Sequence, residues 1–204
     1  MARPRLITDE QILRSMRAAV LQHGPSVSLD LVAGELGVTS PALLKRFGSR
    51  QNLMIAALKP PDEAQWVQPA TPDERPLVDQ LESMLTQFWE FLAEVVPCVM
   101  ALRESGIDPR LWRQPNFSGP RKGLAGLERW LEEAKARGLA DFADAESAAN
   151  SMLGALHIRT LTAHLERQSM ATRFHRRYLH GLAIFFADAL APRGRAQKPR
   201  QARA

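Results

Sequence analysis

The sequence predicts an all-α protein. Three observations carry this. Alternating runs of Val, Ile and Thr are missing, the chain holds a single tyrosine, and apolar residues recur at helical spacing through most of its 204 residues. No unit repeats at a fixed period. The apolar fraction, 45%, is ample for a core. Residues 60–76 hold five of the fourteen prolines and mark a connection between two parts. The expected units are a three-helix helix-turn-helix head over 1–59, a helical body over 60–191 and a basic, disordered tail over 192–204.

The first helix begins at Thr8. Thr8 and Gln11 have capping-box spacing, and Asp9 and Glu10 suit the positive helix start. Ile12, Met16, Ala19 and Val20 form its apolar stripe, and Gly24–Pro25 stops it. Ser28 caps a second helix. Gly37 turns the chain into a short third helix, and Ser49 caps a fourth that stops at Pro60–Pro61. Trp66 and Val67 are expected to dock the connection onto the body. A long helix over about 76–96 is apolar on nearly every side, which predicts a central place. Pro97 is expected to kink or end it, with a shorter helix from Cys98 to Glu104. Residues 106–120 read as a loop. Helices near 121–137, 144–167 and 171–190 complete the body.

Net charge is +5, unevenly placed. Residues 1–59 carry eight Lys/Arg against four Asp/Glu, residues 60–191 fourteen against eighteen, and residues 192–204 five and no acid. A basic head beside an acidic body favours a polyanion as the head's partner. No run of about 18 apolar residues is seen, so no membrane span is expected. The N-terminus lacks an apolar signal region, and the single cysteine, Cys98, excludes an internal disulfide framework. The cytoplasm is the expected compartment.

In the head, Leu29 is taken as the first position of a helix-turn-helix. Ala33 then falls at the close crossing of two helices and Gly37 in the turn, where a positive φ is needed. Val32, Leu36, Val38, Leu43 and Phe47 point inward. Thr39, Ser40, Pro41, Ala42, Leu44, Lys45 and Arg46 are left outside. Small residues at the front of the third helix let its backbone approach base edges, and Lys45 and Arg46 follow for phosphate or guanine contacts. Ser28 and Ser49 stand at helix starts whose free N–H groups can hold phosphate. Arg50 sits in a first helical turn, where a cation opposes the dipole and an anion nearby would explain it.

Residues 8–58 resemble the DNA-binding domain of the TetR family of bacterial transcription regulators. The resemblance lies in ILRSMRAAVLQHG followed by SLDLVAGELGVTSPALLKRFGSRQNL. Phe47 and Ser49 match the family's pattern. Arg50 replaces its usual Lys, Leu44 stands where a phosphate-contacting Tyr is typical, and Arg46 where a His is common. The resemblance implies a homodimer joined through the last two helices, a double-stranded operator and a small-molecule effector held in the body. Helix 144–167 offers Ala145, Ala148, Ala149, Gly154 and Ala155 for close approach. Helix 171–190 offers Phe174, Tyr178, Leu182, Phe185 and Ala189. Candidates for the effector pocket are Met84, Phe88, Trp89, Phe91, Trp112, Trp130, Met152, Leu156 and His157, with Cys98 beside them. Each of these also suits a core.

No catalytic, cofactor or metal site is expected. His157 and His164 are two helical turns apart, about 10 Å, too far for joint zinc ligation. GxSxG, P-loop and GxGxxG patterns are missing. The expected function is a sequence-specific, ligand-responsive DNA-binding regulator, most simply a repressor. The alternative is a helical small-molecule-binding or scaffolding protein whose head has lost operator recognition, motivated by Leu44.

Overall fold

The structure, a computed structural model, describes residues 7–58, 70–112 and 119–192. The connection over 59–69, with Trp66 and Val67, and the tail from 193 on lie outside the described residues. Those that are described contain helices and no strand.

The head is four helices. Helix α1, Asp9–His23, opens with the full capping box: the Thr8 N–H donates to Gln11 Oε1 at 2.9 Å and the Gln11 N–H to Thr8 Oγ1 at 3.2 Å. It closes at Gly24, whose φ is 86°. Helix α2, Leu29–Leu36, is capped by Ser28, which accepts from the Leu31 N–H. Gly37 follows in the left-handed region at φ 68°, where a Cβ is disfavoured. Helix α3 is Ser40–Phe47, and α4, Arg50–Leu58, is capped by the Ser49 hydroxyl at 3.0 Å from the Asn52 nitrogen. Ile12, Met16, Val32, Leu43, Leu53 and Leu58 face one another in a closed core.

Helix α5 runs unbroken from Leu77 to Glu104, with Pro97 inside it. This corrects the expectation of a break there. Proline forfeits one backbone hydrogen bond to the residue four before it. The burial of Val95, Cys98, Ala101 and Leu102 on either side outweighs that loss. The helix is also long and apolar enough to cross a membrane by length and composition, contrary to the sequence reading. Its apolar faces are instead taken up by protein. Gln80, buried, fastens its start: its Nε2 donates to the Asp73 and Arg75 carbonyls and its Oε1 accepts from the Asp73 N–H.

Helix α6 is the single turn Pro109–Trp112, inside the stretch read as a loop. Helices α8, Ala145–Leu165, and α9, Thr172–Ala189, pack against α5, and α7, Gly119–Ala136, packs against α8. Asp144 caps α8 by accepting from the Ser147 N–H at 2.7 Å. Hydrogen bonding by the Ser147 side chain, and then by its N–H, holds the Asp144 carboxyl below the usual range. The body core gathers Leu81, Leu85, Trp89, Leu131, Met152 and Leu156. Trp89 Nε1 donates to the Met170 carbonyl, and its ring lies 4.1 Å from that of buried His175.

The two cores share α5. Its first turns lie in the body core, while Cys98, Ala101 and Leu102 belong to the head core together with Ile107. An Arg17–Glu94 ion pair at 2.7 Å adds a polar tie between α1 and α5. Burial pushes the Cys98 thiol upward in pKa, against the opposing charge of Arg17. Leu102→Ala is therefore expected to loosen the head although the residue is far from it in sequence. The cost should be about 2–5 kcal/mol of stability, with amide exchange in α1 and α4 accelerated. Unchanged exchange there would show that the head core closes without α5.

Candidate nucleic-acid interface and ligand cavity

Helix α3 is held to the head core by buried Leu43 and half-buried Phe47. Leu43 is 1% exposed and faces the head core. The opposite surface carries Thr39, Pro41, Ala42, Leu44 and Lys45, all exposed. Thr39 gives no side-chain cap, so the front of α3 presents backbone with small side chains around it. Five of the nine residues expected to contact nucleic acid thus lie together and free on one side of the head.

The other four have side chains already engaged. Ser28 caps α2, and the Ser40 hydroxyl donates to the Asp30 carboxylate. Arg46 pairs with Asp9 and donates to the Ile7 carbonyl at 2.6 Å. Arg50 was expected to await an anion. Its Nη2 instead donates to the carbonyls of Pro25 and Val27, at 2.5 and 2.9 Å. Those carbonyls belong to the α1–α2 turn, so the guanidinium fastens that turn to the start of α4. Asp9 reads from the sequence only as a helix-start acid, and Asp30 does not stand out there at all. Nothing in their spacing reveals that they meet Arg46 and Ser40.

In the body, a cavity of about 510 Å³ lies between α5 and α8. Phe91, Leu92, Val95, Val96, Val99 and Met100 form the α5 wall. Gly154, His157, Ile158 and Leu161 form the α8 wall. Of the residues expected to hold a ligand, Phe91 and His157 line it. Met84, Phe88, Trp89, Trp130, Met152 and Leu156 are buried in the body core away from its lining. The side chain of Trp112 lies outside the described residues, and Cys98 is in the head core. The reason is helical phase. On a helix apolar all round, composition does not say which face meets a cavity. Here it is the strip through residues 91, 95 and 99, which continues past Pro97.

The outer face of α8 and α9 is apolar. Phe174 is 61% and Phe185 64% exposed, with Gly181 between them. Tyr178 donates its hydroxyl proton to the Ala155 carbonyl, and the Arg159 guanidinium covers its ring. Not every small residue of α8 belongs to this face. Ala145 and Ala149 are buried inside the body, and Gly154 lines the cavity. Among the described residues no three of His, Cys, Asp and Glu gather as a metal site would require.

Residues 90–165 match the sequence family described as the AefR-like transcriptional repressor, C-terminal domain, which spans the cavity walls. The flavonoid-responsive regulator FrrA is 25% identical with a TM-score of 0.58, over 91% of this chain and 98% of its own. The chain is thus similar to TetR-family regulators, over residues 90–165 by sequence and over most of its length by fold. Two further structures share its fold. A Mesorhizobium loti MAFF303099 protein assigned to TetR-family transcriptional regulators has a TM-score of 0.66 at 17% identity, over 90% of this chain and 96% of that one. Salmonella enterica GusR has 0.63 at 18%, over 92% and 97%. No curated relative matches the chain.

TetR-family proteins are non-enzymatic, ligand-responsive transcription regulators that bind DNA operators as dimers. In the head of this chain, Arg50 is a structural cation. Arg50→Ala should lower stability by about 1.5–3 kcal/mol, the range for hydrogen bonds made by a charged group. Denaturant unfolding measures this. A variant as stable as the parent would return Arg50 to the pool of free cations.

Proposed function

We propose that this protein is a repressor that binds a palindromic operator as a homodimer in the bacterial cytoplasm and releases it when a small molecule enters the α5–α8 cavity. The observation that carries the DNA part is the outer face of α3, with Pro41 and Ala42 at its front, and Leu44 and Lys45 exposed behind them. Small front residues allow close backbone approach in a major groove, and Lys45 supplies a free cation for phosphate. Leu44, 37% exposed, suits a thymine methyl in place of the hydrogen bond a tyrosine would make. Thr39 completes the base-facing group. Ser28, Ser40, Arg46 and Arg50 support the surface from behind.

The dimer reading rests on Phe174 and Phe185, two aromatic side chains exposed on the outer face of α9 beside Gly181, where a partner helix would cover them. Two recognition helices held by such a dimer would meet successive major grooves. Release follows from the shared helix. A ligand against Val95 and Val99 acts on the same turns of α5 whose other side, at Cys98 and Leu102, belongs to the head core. It favours α5 positions in which the two heads are wrongly spaced, a shift of population between states.

Selection of binding sites from random duplex DNA at near-physiological salt is the direct test, and a palindrome should be enriched. Weak, salt-sensitive binding with no enriched sequence would defeat the operator reading. On the selected duplex, Lys45→Ala should weaken binding and flatten the dependence of log K on log salt by about 0.9 per subunit, about 1.8 for the dimer. An unchanged slope would remove Lys45 from the interface.

A further inference from the structure

Among the described residues, the lining of the α5–α8 cavity has one polar side chain, His157, in otherwise apolar surroundings. The ring of His157 is oriented by its own helix: Nδ1 lies 2.8 Å from the Leu153 carbonyl. A carbonyl only accepts, so Nδ1 carries the proton of the neutral ring. Nε2 is then left as a lone-pair acceptor. We propose that the cavity selects an uncharged, largely apolar molecule bearing a hydroxyl group that donates to His157 Nε2. This deepens, and rests on, the reading of the cavity as the effector chamber.

Three observations support the class. The cavity, about 510 Å³, falls in the size range of small-molecule sites. Among the described residues no Lys, Arg, Asp or Glu lines it, so an ionised ligand would find no countercharge there, while its α8 wall, at His157 and Ile158, is exposed and gives entry from solvent. Gly154 stands one turn before His157 on the same wall, and a Cβ built there meets nothing within 4 Å. The missing side chain therefore leaves open space beside the imidazole. Phe91, Val95, Val99 and Ile158 offer the apolar surface on which a flat ring system would lie.

Calorimetric titration of the full chain with 2-naphthol, naphthalene and 2-naphthoate separates the terms. 2-Naphthol should bind on the order of fivefold more tightly than naphthalene, the gain of one net hydrogen bond, and 2-naphthoate more weakly than either. In His157→Phe the preference for 2-naphthol over naphthalene should vanish while naphthalene binding persists. His157→Gln, which restores an acceptor, should recover part of the preference. Gly154→Leu fills the open space and should abolish binding of all three with helical content intact.

Equal affinity for 2-naphthol and naphthalene, no binding of 2-naphthol, tightest binding of 2-naphthoate, or a preference that survives His157→Phe would each overturn the proposal. So would undiminished binding to Gly154→Leu. Adding 2-naphthol to the complex with the selected duplex keeps the two readings apart. Selective binding without loss of DNA affinity would sink the effector-chamber reading and leave the ligand class standing.

Discussion

The sharing of α5 between two cores is the constraint on which the rest of the structure depends. A helix apolar on nearly all sides has no stable place at a surface and must be enclosed along its whole length. Its early turns pack against α8 and α9, and its late turns against α1 and α4. Close packing in both places leaves little freedom to move one end independently of the other. Pro97 sits where the helix passes from one enclosure to the next. The helix continues through it because burial on both sides holds the backbone in place. The late turns also border the cavity, so one rigid element touches ligand space and the base of the DNA-binding head.

Charge is deployed differently from what the sequence inventory implies. The basic excess of residues 1–59 reads as a footprint for a polyanion. Yet Arg50 holds the α1–α2 turn, Arg46 is tied to Asp9 and Ile7, Arg14 pairs with Glu10, and Arg17 reaches to Glu94. Lys45 is left on the outer surface of α3. The head therefore depends on a shaped surface with small residues at its front, more than on a dense positive patch. Several of its cations serve to keep that surface in place.

The cavity follows the same logic. Met84, Phe88 and Trp89 have the side chains expected of a ligand pocket, and they are consumed by the body core, to which α7, α8 and α9 also contribute. The strip that lines the cavity is made of plainer residues, chiefly valines. Its single polar member, His157, has its proton placed by the carbonyl of Leu153 on its own helix. That relation is local, and the i and i+4 spacing makes it possible. That a cavity stands beside it is decided by α5 across the gap.

What the sequence determined by itself was the set of local relations. The Thr8–Gln11 capping box, the caps at Ser28 and Ser49, the left-handed turn at Gly37 and the inward register of Val32 and Leu43 were all legible. Each is fixed within three or four residues by hydrogen-bond reach or helical period. The tertiary structure decided everything that hangs on meetings across the chain. Arg46 reaches a carbonyl 39 residues away, Arg50 one 25 away, and Arg17 a carboxylate 77 away. It also decided which face of α5 would be core, cavity wall or head support. Spacing along one helix gives the angle of each face but not what stands opposite. That depends on how the other helices pack, and no single segment contains it.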